Sequence, residues 1–124
     1  MLRVLIIGGF GFLGTILRYA VQGAVQRATG STFPYGTLAV NVVGSLIVGF
    51  VATLALERAA VSPLWRSAIL IGFCGGFTTF SALAYETFEL ARTGDPWRAG
   101  ANLAVSAFLG LIAVWIGYAA AIKL

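Results

Sequence analysis

Residues 72–86 read Gly72-Phe73-Cys74-Gly75-Gly76-Phe77-Thr78-Thr79-Phe80-Ser81-Ala82-Leu83-Ala84-Tyr85-Glu86 and lie inside an otherwise apolar chain. The pair Gly75-Gly76 removes side-chain packing, and Thr78-Thr79 adds hydroxyls where lipid offers no hydrogen-bond partner. Unwound backbone at membrane depth is tolerated only where it is buried in protein or lines a cavity. The stretch therefore predicts a membrane helix broken near its middle, at a functional site.

The rest of the composition agrees with a bilayer setting. Of 124 residues, 60% are hydrophobic and 10% charged, against about a quarter charged in soluble domains. Mean hydropathy is +0.96, and long uncharged runs put the chain in the membrane class. The net charge of +4 resides mostly in arginines at segment ends, which gives no nucleic-acid surface. With no histidine and the single cysteine Cys74 in an apolar run, an intrachain disulfide is excluded and a Cys/His metal cluster has no ligands. Cys74 reads as a small buried apolar residue. The apolar run after Arg3 continues past Gly14 to Ala20, longer than the roughly 7 to 15 residues of a signal-peptide core, so it reads as a span. No stretch is left for a soluble domain, and function is expected within the bilayer.

Four spans fit, about 2–26, 35–56, 64–90 and 99–122, each near the ~20 residues a helix needs to cross the hydrocarbon. Gly30-Ser31, Ser62-Pro63 and Gly94-Asp95-Pro96 supply the turns between them. Trp65, Trp97 and Tyr35 fall at span ends, where amphipathic rings favour the interface. The expected architecture is a single all-α domain of four transmembrane helices. Four spans put Arg3, Arg58, Arg66 and Lys123 on one side and Arg27, Arg92 and Arg98 on the other. That balance gives the positive-inside rule almost nothing to act on. Either other determinants orient the chain, or copies insert both ways and pair antiparallel. Four short helices also enclose little room for a pathway, which favours an oligomer.

Polar residues within the spans mark candidate sites. Arg18 lies about two-thirds along the first span with Gly11, Thr15 and Gln22 at helical spacings. A cation there costs at least about 2.5 kcal/mol to insert, and by default signals function. It either snorkels to headgroups, pairs with a carboxylate such as Glu86, or raises the local anion concentration at an entrance. Asn41 offers two N–H donors to a ligand or to a neighbouring helix. Gly44, Ser45 and Gly49 follow it as small residues suited to close packing. In the fourth span Asn102, Ser106 and Gly110 share one face. Phe73, Phe77 and Phe80 serve packing or a pathway, and Glu86 is an interfacial cap or a proton handle.

No nucleophile–base pair, phosphate loop or metal cluster is present, so the chain does not read as an enzyme. Donors, aromatic edges and an arginine with little negative charge suit an anion, which needs replacements for the water it sheds. Carbonyls freed near Gly75 to Thr78 suit a cation such as Na⁺ instead.

Two long motifs then carry a resemblance. Gly72 to Ser81, with Glu86 six residues beyond Phe80, resembles the third-helix signature of the Fluc/CrcB fluoride channels. Gly36-Thr37-Leu38-Ala39-Val40-Asn41-Val42-Val43-Gly44-Ser45 resembles their second-helix signature, and Leu17-Arg18-Tyr19 their first. The likeness extends over the whole chain. It implies a dual-topology antiparallel homodimer in the inner (plasma) membrane, with two parallel pores passively exporting cytoplasmic fluoride and so relieving its toxicity. It places Asn41, Phe80 and position 83 in the pore, with a polar track through Ser81 and Ser106. Arg18 and Glu86 fall in the vestibules. A structural Na⁺ at the dimer centre would be held by backbone carbonyls of Gly75 and Thr78 from both chains.

Two positions depart from the pattern. The family usually reads Thr-Phe-Ser-Thr-Phe where this chain has Thr79-Phe80-Ser81-Ala82-Leu83. Leu83 fills similar space but lacks the electropositive edge of a ring. Asn102 stands where some members place a tyrosine. Fluoride is expected to permeate by relying more on Phe80, Asn41 and hydroxyls. The alternative class, a small dual-topology proton-coupled multidrug exporter, needs a carboxylate in its first span. Here the ionised group within that span is Arg18. A non-transporting subunit of a larger assembly would explain the glycines but not the broken stretch.

Overall fold

Helix α1 (Leu2–Thr29) ends where Gly30 turns left-handed, at φ 59°, and returns its N–H to the Gln26 carbonyl at 3.2 Å. The computed structural model describes residues 1–124 and holds only helices and their connections. α1 runs one turn past the expected end because nothing before Gly30 stops it. α2 (Tyr35–Leu56) has the expected bounds. The third span is built in pieces. α3 (Pro63–Ser67) opens with Pro63 and a Ser62 side chain that accepts the Trp65 N–H. It continues through a π-helical segment, Ala68–Phe73, into α4 (Cys74–Phe77). Thr78 (φ −98°, ψ 161°) and Thr79 (φ −154°, ψ 112°) are extended, and α5 (Phe80–Arg92) follows. α6 (Pro96–Ile122) starts earlier than expected because Asp95 caps it, accepting the Arg98 N–H at 3.2 Å.

The break therefore falls on the threonines, and Gly75-Gly76 stay helical. β-Branched threonine suits an extended backbone, whereas Gly76, like Gly14 facing it from α1, serves close helix contact. A methyl at Gly14 would land on the Phe73 carbonyl, and one at Gly76 on the Gly11 carbonyl. α2 and α6 meet in the same way, Gly49 against Val114 and Gly117 against Leu46. Small residues let backbones approach where lipid provides no hydrophobic drive. Cys74 is buried, as expected of a small apolar residue.

Each end of the bundle carries an arginine-to-hydroxyl stitch. Arg3 Nη2 donates to Ser67 Oγ at 2.9 Å at one end. At the other, Arg98 Nη1 donates to Thr32 Oγ1 at 2.6 Å. Beside it Gln26 Nε2 donates to the Ser31 and Phe33 carbonyls, and its Oε1 accepts the Gly36 N–H. Only 20 of 124 residues are buried, many of them small, so most large apolar side chains point outward. All four spans are long and apolar enough to cross a membrane. The chain is a multi-pass integral membrane protein.

Candidate functional site

The break is held from α2. Asn41 Oδ1 accepts the Thr79 N–H at 2.8 Å, and Asn41 Nδ2 donates to the Thr79 carbonyl at 3.1 Å. Of the two roles open to Asn41, the structure gives it the bond between helices and leaves one amide hydrogen over. Thr79 Oγ1 accepts the Ala82 N–H at 3.1 Å and caps α5. Thr78 turns its hydroxyl back to the Cys74 carbonyl at 2.8 Å. Its methyl fills the space left by Gly44 one turn beyond Asn41.

A groove of about 270 Å³ opens against this break, lined by Asn41, Gly44, Ser45, Val48, Thr78, Thr79, Phe80, Leu83 and Val114. Three expected pathway residues, Asn41, Phe80 and Leu83, thus meet at one place. They differ in exposure: Phe80 is 78% exposed and Leu83 only 9%. Ser81 is not in this lining, and its Oγ lies 3.2 Å from Thr79 Oγ1. Ser45 Oγ is turned to its own helix, donating to the Asn41 carbonyl at 2.7 Å. Ser106 stands on α6 outside this lining, and its buried Oγ has no hydrogen-bond partner. Asn102 Nδ2 donates to Thr87 Oγ1 at 2.9 Å, tying α6 to α5.

A second cavity, of about 510 Å³, lies among α1, α2 and α5 with a mostly polar lining that includes Tyr19, Gln22, Gln26, Thr32, Thr37 and Glu86. Its side chains form a relay. Gln22 Nε2 donates to Thr37 Oγ1 at 2.9 Å, and Thr37 Oγ1 donates to Glu86 Oε1 at 2.6 Å. Glu86 Oε2 is buried and unpartnered. Arg18 is half-buried, does not line this cavity and makes no ion pair with Glu86. The chain's two ion pairs, Arg92–Glu89 at 2.8 Å and Arg98–Asp95 at 3.6 Å, lie elsewhere.

For a cation the chain offers no side-chain cluster of His, Cys, Asp or Glu. What it offers is backbone. The last carbonyls of a helix have no partner within it, and at this break the Thr79 N–H that would have reached the Gly75 carbonyl goes to Asn41 instead. Gly75 is exposed, and a Cβ built on it would meet nothing within 4 Å. Freed carbonyls on an open face suit a hard monovalent cation such as Na⁺.

Sequence reasoning missed Thr37, which was quoted only as part of a motif, and the clasp on Thr79. Both depend on pairs 38 or 49 residues apart, for which one sequence carries no signal. The π-helical turn also left no trace in composition.

Comparison with known proteins adds a family. Residues 5–118 match the family described as CrcB-like protein, Camphor Resistance (CrcB). The chain is 43% identical over 121 residues to the fluoride-specific ion channel FluC of Geotalea daltonii, covering 98% of each chain. It is 48% identical over 116 residues to that of Opitutus terrae, covering 92% of this chain and 88% of the relative. With the protein of the same name from Geobacter sulfurreducens it shares 42% over 124 residues and the full length of both. The four-span bundle with its clasped third helix therefore belongs to the CrcB family.

Proposed function

We propose that the protein is a fluoride-selective channel, passive and driven by the electrochemical gradient, which exports cytoplasmic fluoride across the inner membrane and reduces its toxicity. Two copies pair antiparallel, with two pores and a central Na⁺. The observation that carries this reading is the exposed helix end just before the break. Gly75, with open space around it, lies on the outer surface of the chain at membrane depth. Freed carbonyls there are not tolerated against lipid. A second copy covers them, and sixteen glycines in a chain this short favour such close approach. When bound, Na⁺ would supply a fixed positive charge among the carbonyls of Gly75 and Thr78. The chain's own residues do the rest. Asn41 keeps one amide hydrogen for an anion, the Phe80 ring is free to present its positive edge, and the hydroxyls of Ser81 and Ser106 continue the donor track. Arg18 and Glu86 sit towards the entrances, where Arg18 concentrates anions.

Proteoliposomes loaded with fluoride or chloride and read by ion-selective electrodes test the proposal. Fluoride efflux without chloride efflux is the expected result, and equal rates would overturn selectivity. Proton-dependent export of organic cations would instead establish the multidrug-exporter reading.

Two substitutions bear on the parts. Thr78→Trp is expected to abolish the dimer and fluoride efflux together, because its side chain meets Gly44 where a threonine methyl already fills the space. Gel filtration and efflux that both match wild type would contradict the assignment. Leu83→Phe restores a ring edge facing the 270 Å³ groove and is expected to change fluoride efflux by no more than about tenfold. Wild type without efflux beside an active Leu83→Phe protein would show that a second ring is required.

A further inference from the structure

We propose that Asn41 is a positioning residue for the break, acting through Thr79: it keeps the third span open and thereby leaves the Gly75 carbonyl free for a cation. This rests on the channel reading above and assigns Asn41 a role beyond contact with the anion.

The geometry is that of a strand pair in miniature. In a hydrogen-bonded antiparallel pair, two residues exchange both N–H···O bonds. Thr79 is extended and makes both of its bonds, at 2.8 and 3.1 Å, to a single carboxamide. A carboxamide carries the same donor and acceptor as a peptide group, so Asn41 stands in for the missing strand. Thr79 is 8% exposed, and without this partner its N–H and carbonyl would be orphaned at membrane depth, a costly state.

The competing arrangement is the uninterrupted helix. There the Thr79 N–H bonds to the carbonyl four residues back, which is Gly75. Asn41 and Gly75 therefore compete for one proton donor. With Asn41 in place the carbonyl is released. With Asn41 absent the helix either recloses over that carbonyl or leaves Thr79 unpaired. The surroundings favour the open form. Thr78 is anchored to Cys74 and packed against Gly44, and Thr79 caps α5 through its own hydroxyl.

The test compares purified wild type, Asn41→Ala and Asn41→Asp in two measurements: ²²Na⁺ binding, and hydrogen–deuterium exchange of the peptide spanning residues 78–82. Asn41→Ala is expected to raise the half-saturating Na⁺ concentration, or to speed exchange, by about tenfold or more. Asn41→Asp keeps an acceptor for the Thr79 N–H, so exchange at that amide should stay well below that of Asn41→Ala while its fluoride efflux falls. If efflux falls in both variants with Na⁺ binding and exchange unchanged, Asn41 acts by anion contact alone and the proposal is overturned. Wild type that binds no Na⁺ would remove the cation reading by itself, and unchanged exchange in Asn41→Ala would then overturn the clasp. Should Asn41→Ala fail to run as a single species on gel filtration, Asn41→Ser takes its place under the same criteria.

Discussion

Fluoride efflux from liposomes carrying the Asn41→Asp protein is expected to fall at least about a hundredfold below wild type. Asparagine and aspartate have nearly the same shape, so the groove around Thr78, Thr79, Phe80 and Leu83 keeps its form. What changes is charge. Two unit charges about 4 Å apart repel by about 4 kcal/mol at an effective dielectric constant near 20, or roughly a thousandfold in rate. Water in the open groove screens part of this, hence the lower figure. The new carboxylate also loses the donor that now meets the Thr79 carbonyl, which adds to the penalty. Efflux unchanged from wild type would take Asn41 off the anion's path.

Gly14→Val is the second large effect, and it concerns assembly of the bundle. Gly14 is the buried residue of α1. An added Cβ would collide with the Phe73 carbonyl and sit 3.0 Å from the Phe77 nitrogen. Both obstacles are backbone, so no rotamer change relieves them, and α1 must separate from the π-helical segment and α4. Overpacking of this kind costs about 3 kcal/mol, a large share of the stability of a typical domain. Thermal unfolding in detergent should show Gly14→Val aggregated or strongly destabilised. Gly9→Val, where nothing lies within 4 Å of the added carbon, should stay within about 0.5 kcal/mol of wild type. Equal stability of the two variants would mean that α1 is not seated as described.

The contrast between these glycines shows what could be read from sequence. Hydropathy and turn residues sufficed for four spans, because the bilayer fixes both length and composition. The broken third span was legible from Gly75-Gly76 and Thr78-Thr79, since lipid tolerates neither bare backbone nor idle hydroxyls without a reason. The division of labour between the two pairs was not legible. Glycine's role depends on which neighbour approaches, and Gly76 meets α1 while Gly75 meets nothing. The site behaved similarly. Asn41 stood out as an amide within a span, but its commitment to Thr79 needed the register between α2 and the third span. Glu86 stood out as a carboxylate, whereas the hydroxyl that holds it, Thr37, looked like any residue near a helix start. The extra residue per turn in Ala68–Phe73 has no compositional mark at all.

The stitches at the two ends of the bundle have a bearing on how the chain can sit in a bilayer. One end ties Arg3 to Ser67 and the other ties Arg98 to Thr32. Whichever way the protein is threaded, each leaflet meets a guanidinium already fastened to a hydroxyl on a neighbouring segment. Turning the molecule end over end exchanges one fastening for its counterpart.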